Sequence, residues 1–244
     1  MTVDLETDAE VPIVLTATVI PQTTGTALME PETRLAEYAK AVQFYVRQAP
    51  VIFLENSSYS LEGHAAFREA ARLQVKRFPP SASPERGKGY QEFEMLDNWL
   101  AAEARPPVRW LKITGRYQIL NIQSLLHECR QDLNSGLIVD RMPRAGMART
   151  YVFCTSTEFY RTRLRGLYRQ CDDRCGAWIE RMLFRQLQGR PAAEVHLFKT
   201  QPRIHALAGT SGAAFPVGRC QWWCKQNLRR LNRLVDRQYL WYAR

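Results

Sequence analysis

"VPIVLTATVI" (residues 11–20) is β-branched and almost wholly apolar, the composition of a strand covered on both faces of a sheet. "PQTTGTAL" follows as a loop. From Pro31 to Gln48, Leu35, Tyr38, Ala39, Val42 and Val46 recur at helical spacing with Glu and Arg between them, which predicts an amphipathic helix. "VIFLENS" (51–57) is a second buried strand that ends abruptly in polar groups. Strand, helix and strand within roughly 45 residues predict a parallel βαβ unit. Ligands of such sheets gather beyond the carboxyl ends of the strands, so Thr16, Thr18, Glu55 and Asn56 are candidate ligand contacts.

The same alternation continues. A helix is expected over about 62–77, then the loop "PPSASPERGKGY", then a helix over about 90–104 with Phe93, Leu96, Trp99 and Leu100 on one face. The Gly87–Lys88–Gly89 turn that opens this helix reads either as an anion cradle, combining backbone N–H groups with the Lys88 charge, or as an ordinary surface turn. "VRWLKITGRYQIL" (108–120) reads as a third buried strand, interrupted by polar residues from Lys112 to Arg116. A helix ("NIQSLLHECRQDL"), a short strand ("GLIVDR") and a strand running into a helix start (148–160) follow. Residues 158–190 read as helical with a break near Gln170–Gly176. "EVHLFK" is a late strand, and "PRIHALAGTSGAAFP" a strand and glycine-rich loop. The pattern predicts an α/β fold with a Rossmann-like, mostly parallel central sheet flanked by helices and a C-terminal amphipathic helix.

The 244 residues suit one sizeable α/β domain. No apolar run reaches the roughly 18 residues of a membrane span, and the acidic start "MTVDLETDAE" has no signal-peptide pattern. A cytoplasmic protein is expected. Six cysteines in a chain this long fit free thiols. The pairs Cys171/Cys175 and Cys220/Cys224 are spaced more widely than the usual structural zinc pair, and buried thiols on helix faces are the alternative. Four scattered histidines show no metal spacing. Thirty-four Lys+Arg against 24 Asp+Glu leave a formal charge of +10, which suits an anionic partner: nucleic acid, a membrane surface or a phosphorylated small molecule.

Together, "VPIVLTATVIP", "VIFLENSSY", "GKGYQEFEML", "KITGRYQILNI", "WIERMLF" and "PRIHALAGTSG" resemble bacterial glycosyltransferase-like proteins of surface-polysaccharide gene clusters (lipopolysaccharide or capsule), of the GT-A architectural class. The resemblance covers about residues 11–215. It implies a single GT-A-like domain, with a nucleotide-binding half (11–120) and an acceptor-binding half (121–215). A tail (1–10) precedes it, and a basic amphipathic helix (216–244) follows. It further implies a nucleotide sugar as donor, a saccharide or lipid-linked acceptor, and base and ribose contacts at Thr16, Thr18, Glu55 and Asn56. "RGKGYQE" is the counterpart of the loop–helix junction that touches the nucleotide, through Lys88 and Gly89.

The chain departs from the family pattern where an Asp-x-Asp normally binds Mg²⁺ or Mn²⁺. The matching strand ends in "KITGR", with no carboxylate. No metal site or other cofactor is therefore expected. A departing nucleoside diphosphate still needs its charge neutralised. Arg116 is expected to engage phosphate with its planar fork and Lys112 as a point charge, beside Thr114, with Gly115 letting the backbone approach. A sheet-edge ion pair for Arg116 and a bulge at Gly115 are the alternatives. Glu180 in "GAWIERML" matches the carboxylate that takes the acceptor proton in inverting GT-A enzymes. Burial beside Trp178 is expected to raise its pKa, and a salt bridge with Arg181 or Arg185 is its structural alternative. Asp172 and Asp173 form a second carboxylate pair that could supply a metal ligand or base, and "QCDDRCG" reads better as a polar loop. Glu92 and Glu94 could meet sugar hydroxyls or be solvated. "AGTSGAAF" (208–215) suits either a lid or a plain hairpin loop.

In the last segment arginines alternate with Trp222, Trp223, Leu228, Leu231, Leu234, Leu240 and Trp241. This suits a helix lying on an anionic membrane leaflet, or one whose apolar stripe packs on the domain. Two other functions compete with glycosyl transfer. One is nucleic-acid binding, which the dispersed positive charges and missing module disfavour. The other is a catalytically inactive glycosyltransferase-like assembly partner.

Overall fold

The structure is a computed structural model that describes residues 10–23, 30–68, 70–191, 193–206 and 218–234; of residues 232–234 only the backbone is described. The nine leading residues and the glycine-rich 208–215 segment lie outside the described residues.

The elements in chain order are β1 (Ile13–Ala17), α1 (Pro31–Tyr45), β2 (Val51–Glu55), α2 (Ala65–Arg68), β3 (Leu73–Arg77), α3 (Lys88–Ala102), β4 (Arg109–Thr114), β5 (Gln118–Ile119), α4 (Ile122–Gln131), β6 (Leu137–Met142), β7 (Met147–Ser156), α5 (Thr157–Phe159), α6 (Ile179–Leu187), β8 (Val195–His196), β9 (Ile204–His205) and α7 (Arg219–Leu234). Seven strands form one sheet in the order β3-β2-β1-β4-β7-β6-β8, and β5 pairs with β9 separately. β3, β2, β1 and β4 are mutually parallel. β7 alone is reversed, antiparallel to both β4 and β6, and β8 returns parallel to β6. This is the expected α/β class.

The apolar strand runs follow from a sheet covered on both faces. Ile13 and Leu15 of β1 face a core with Leu35, Val42 and Tyr45 of α1 and Leu125 and Leu126 of α4. Val14, between them, faces the other core with Phe93, Leu96 and Trp99 of α3 and Leu183 of α6. Alternate side chains thus enter different cores. Trp99 and Trp110 meet edge to face at 5.2 Å in the second core.

Three expected elements differ. The helix over 62–77 is only the short α2; the chain then enters edge strand β3, whose residues are only partly buried. With one neighbouring strand, "LQVKR" lacks the apolar run of an interior strand. The 158–190 helix is a chain of short turns, with a π-helical turn at Tyr160–Leu164 and regular helix only in α6. The strand over 108–120 breaks after Thr114, where Tyr117 N–H closes a tight turn on the Thr114 carbonyl (2.9 Å). Buried Tyr45 pins that turn, accepting from Ile119 N–H and donating to the Tyr117 carbonyl, each at 2.8 Å.

Candidate functional site

A cavity of about 420 Å³ opens at the carboxyl ends of β1 and β4. Because β7 runs the other way, its first half, Arg149–Tyr151, lies beside those ends and joins the wall. The N-terminal turns of α1, α3 and α6 complete it, with Arg34, Lys88 and Glu180. Of the sequence candidates, Thr16, Thr18, Lys88, Gly89, Thr114, Arg116 and Glu180 line this one cavity. Glu55, Asn56, Lys112 and Gly115 do not.

Lys112 is the largest departure from expectation. Its side chain is wholly buried. An ammonium has three donors, and here they meet Glu92 Oε1 (2.6 Å), the Thr150 carbonyl (2.7 Å) and Thr114 Oγ1 (3.2 Å). None is left to meet a phosphate. Burial pulls the ammonium below the usual lysine range, and the Glu92 carboxylate opposes that pull. Lys112 is the buried counter-ion of Glu92. The same Glu92 oxygen also accepts from Thr16 Oγ1 at 2.5 Å, so one side of that carboxylate is anchored while the residue borders the cavity.

Gly115 also serves a different purpose. Its N–H continues the β1 pairing through the Thr16 carbonyl (2.9 Å). A Cβ there would meet that carbonyl at 2.6 Å and the Tyr38 ring at 3.0 Å. Glycine is needed for strand and helix to close, and not for a ligand. Glu55 is fully buried and accepts from Ser57 N–H (2.8 Å), the Ser57 hydroxyl and Val19 N–H (3.3 Å). It shapes the loops after β1 and β2. Burial raises its pKa. Asn56 accepts from the Thr18 hydroxyl at 2.5 Å.

The Gly87–Gly89 turn holds an anion of the protein's own. Gly87 sits at φ 107°, which favours glycine. The Asp173 carboxylate packs against it and accepts from the Lys88 N–H at the start of α3. The positive helix end is therefore capped from within, and what Lys88 offers the cavity is its side chain. Burial pulls that ammonium's pKa down, Asp173 holds it up, and the charges of Arg34 and Arg116 press it down again. Asp172 pairs with Arg174 at 2.7 Å, in the expected polar loop.

Arg116 is both paired and available. One terminal nitrogen meets Glu37 Oε2 of α1 at 2.6 Å, which takes one of the five guanidinium donors, and the residue still lines the cavity. Arg34, 5% exposed, reaches the same space. Its guanidinium grips the Thr18 carbonyl (2.6 and 3.0 Å) and the Tyr38 hydroxyl (3.0 Å). Arg149 lies 5.5 Å from the Tyr151 ring. Arg34 and Arg149 escaped the sequence reading. Arg34 was legible, because it occupies the buried stripe of α1 four residues before Tyr38. Arg149 was not, because only the reversal of β7 brings it to this end of the sheet.

Glu180 lies in the first turn of α6 and accepts from Thr150 Oγ1 at 2.9 Å. Burial raises its pKa. The Thr150 bond and the Lys112 charge act against the shift, and the neighbouring Glu92 charge adds to it. Trp178, the expected source of that burial, is 38% exposed and stacks on Arg181, whose guanidinium carbon lies 4.4 Å from its centroid. Arg181 turns to Trp178 and the Gly176 carbonyl.

Among the described residues no three His, Cys, Asp or Glu side chains converge.

The chain matches no family model, and no curated protein matches it in sequence. Solved structures with a similar chain path include mouse xyloside xylosyltransferase 1 in its apo form (12% identity over 77% of this chain and 84% of that one, TM-score 0.47). Others are the 4-diphosphocytidyl-2C-methyl-D-erythritol synthase of Anaerococcus prevotii (7%, 91% and 99%, TM-score 0.46) and the mannosyltransferase PcManGT of Pyrobaculum calidifontis with GDP-Man and Mn²⁺ (10%, 93% and 62%, TM-score 0.47). At such scores they say nothing of this chain's chemistry.

Proposed function

We propose that this protein is a glycosyltransferase that takes a sugar from a nucleotide-activated donor and passes it to a saccharide or lipid-linked acceptor in surface-polysaccharide synthesis. The observation that carries the proposal is one cavity in which Arg34, Lys88, Arg116 and Arg149 stand beside Glu92 and Glu180. Lys88 feels the charges of both Arg34 and Arg116. An anion entering the cavity would be attracted by these charges.

The chemistry follows from the placement. Glu180, deprotonated, accepts the proton of the acceptor hydroxyl. That oxygen bonds to the anomeric carbon as the bond from carbon to phosphate oxygen breaks. The nucleoside diphosphate leaves with the electron pair, and the arginines and Lys88 offset its growing charge. Glu92, held by Lys112 and Thr16, is placed to accept from sugar hydroxyls. The motif resemblance supports the polysaccharide role and the acceptor class.

The test is a thermal-shift panel of UDP, GDP, dTDP, CMP and their sugars, each with Mn²⁺ or EDTA, and inorganic phosphate as reference. One nucleoside diphosphate or monophosphate should stabilise the protein in EDTA, and Arg116→Ala and Lys88→Ala should each weaken that effect. No stabilisation by any nucleotide, or equal stabilisation by phosphate, would overturn the proposal.

A further inference from the structure

Helix α7 is docked the wrong way round for a helix that serves only to cover a core. Its buried side is polar. Gln226 accepts from Gln201 N–H (2.6 Å) and donates to the Lys199 carbonyl (3.3 Å). Arg229, 4% exposed, holds Asp140 of β6 through both terminal nitrogens (3.0 and 2.7 Å) and the Phe198 carbonyl at 2.6 Å. Trp222 adds its ring N–H to the Gln201 carbonyl (2.7 Å).

The opposite side is largely apolar and faces solvent, with half-buried Asn227 as the polar residue within it. Trp223 is 63% exposed, Leu228 46% and Leu231 57%, and Cys220 and Cys224 are exposed with them. At 3.6 residues per turn these five positions share an arc of about 140°. Exposed Arg219 and Arg230 flank one border, and half-buried Lys225 lies beyond the other. The whole of Arg219–Leu234 contains no Asp or Glu. An ordinary surface helix does the reverse, burying its apolar stripe. Of the two sequence-based alternatives, the apolar stripe packed on the domain is not what α7 shows, since the buried Arg229–Asp140 pair turns that stripe outward as the leaflet alternative requires.

We infer that this face docks the protein on an anionic lipid bilayer, with α7 in the plane of the headgroups. The chemistry selects that occupant. Anionic headgroups meet Arg219 and Arg230, and the acyl boundary takes Trp223, Leu228 and Leu231. Nucleic acid would satisfy the cations and leave both leucines in water. A second copy across a twofold axis would bring this acid-free, cationic helix against itself. Among the described residues no helix is long and apolar enough to cross a membrane.

The full chain is sedimented with phosphatidylcholine vesicles containing or lacking phosphatidylglycerol, at low and high salt. Binding should require the anionic lipid and weaken with salt. Trp223→Asp/Leu231→Asp should reduce it at least about tenfold, while the melting temperature stays unchanged because both residues are exposed. Trp223→Ser serves should the double variant fold poorly. Arg219→Gln/Arg230→Gln should remove the preference for anionic vesicles. Absence of binding to anionic vesicles overturns the inference, as does undiminished binding by a folded Asp variant. So does duplex DNA displacing the vesicles without dependence on Trp223, or a dimer that Trp223→Asp dissolves in place of vesicle binding.

Discussion

Replacing Lys112 by Met keeps most of the buried stem and deletes its charge. Removing one member of a buried ion pair costs about 3–5 kcal/mol, because the other is left uncompensated. Glu92 keeps 20% of its side chain exposed, so water can take over part of its solvation, and the lower end, about 3 kcal/mol, applies. For a chain of this size that is a fall in melting temperature of roughly 6–12 °C. The Thr114 hydroxyl and Thr150 carbonyl also lose their donor, which acts in the same direction. Circular dichroism melts of wild type, Lys112→Met, Glu92→Gln and the double variant form a thermodynamic cycle. Glu92→Gln should also destabilise, since a fully buried ammonium loses its counter-ion, and the double variant should be more stable than the two single losses predict. Strict additivity, or a Lys112→Met protein as stable as wild type, would refute the counter-ion role. It would also reopen Lys112 as a phosphate ligand.

Gly115→Ala should destabilise the protein by about 1–3 kcal/mol through overpacking, because the Thr16 carbonyl and Tyr38 ring leave no space; urea denaturation measures it, and a neutral result would mean the turn gives way. With the nucleotide sugar that the thermal-shift panel selects, turnover should rise with pH through a value above the ordinary carboxylate range, because burial keeps Glu180 protonated longer. Glu180→Gln should lose turnover and keep nucleotide binding; full activity would remove it as the base. Glu55 has a raised folded-state pKa, so its contribution to stability is present at low pH and lost as pH rises through that value. Urea denaturation of wild type against Glu55→Gln should show the wild type's relative stability falling over that window, and a flat difference would contradict it.

Much of the fold was legible because interior strands and helices announce themselves locally. "VPIVLTATVI" and "VIFLENS" have no polar face to hide, and α1 and α3 carry helical stripes that match their buried residues. Edge strand β3 was missed for the same reason: it buries too little to leave a pattern. Within the site, residues at strand ends such as Thr16 and Thr114 were legible from the rule that ligands gather there.

The sequence by itself determined a two-faced α/β sheet, its carboxyl-end cleft, the lack of an acidic pair after β4, and a basic amphipathic tail helix. It could not determine which charges answer one another. Lys112 and Arg116 look alike along the chain, yet one is sealed beneath Glu92 and the other borders the cavity. Arg229 looks like its exposed neighbours and is instead locked on Asp140. Those partners lie tens of residues away, and Coulomb energies depend on distance and burial; only the folded arrangement sets either.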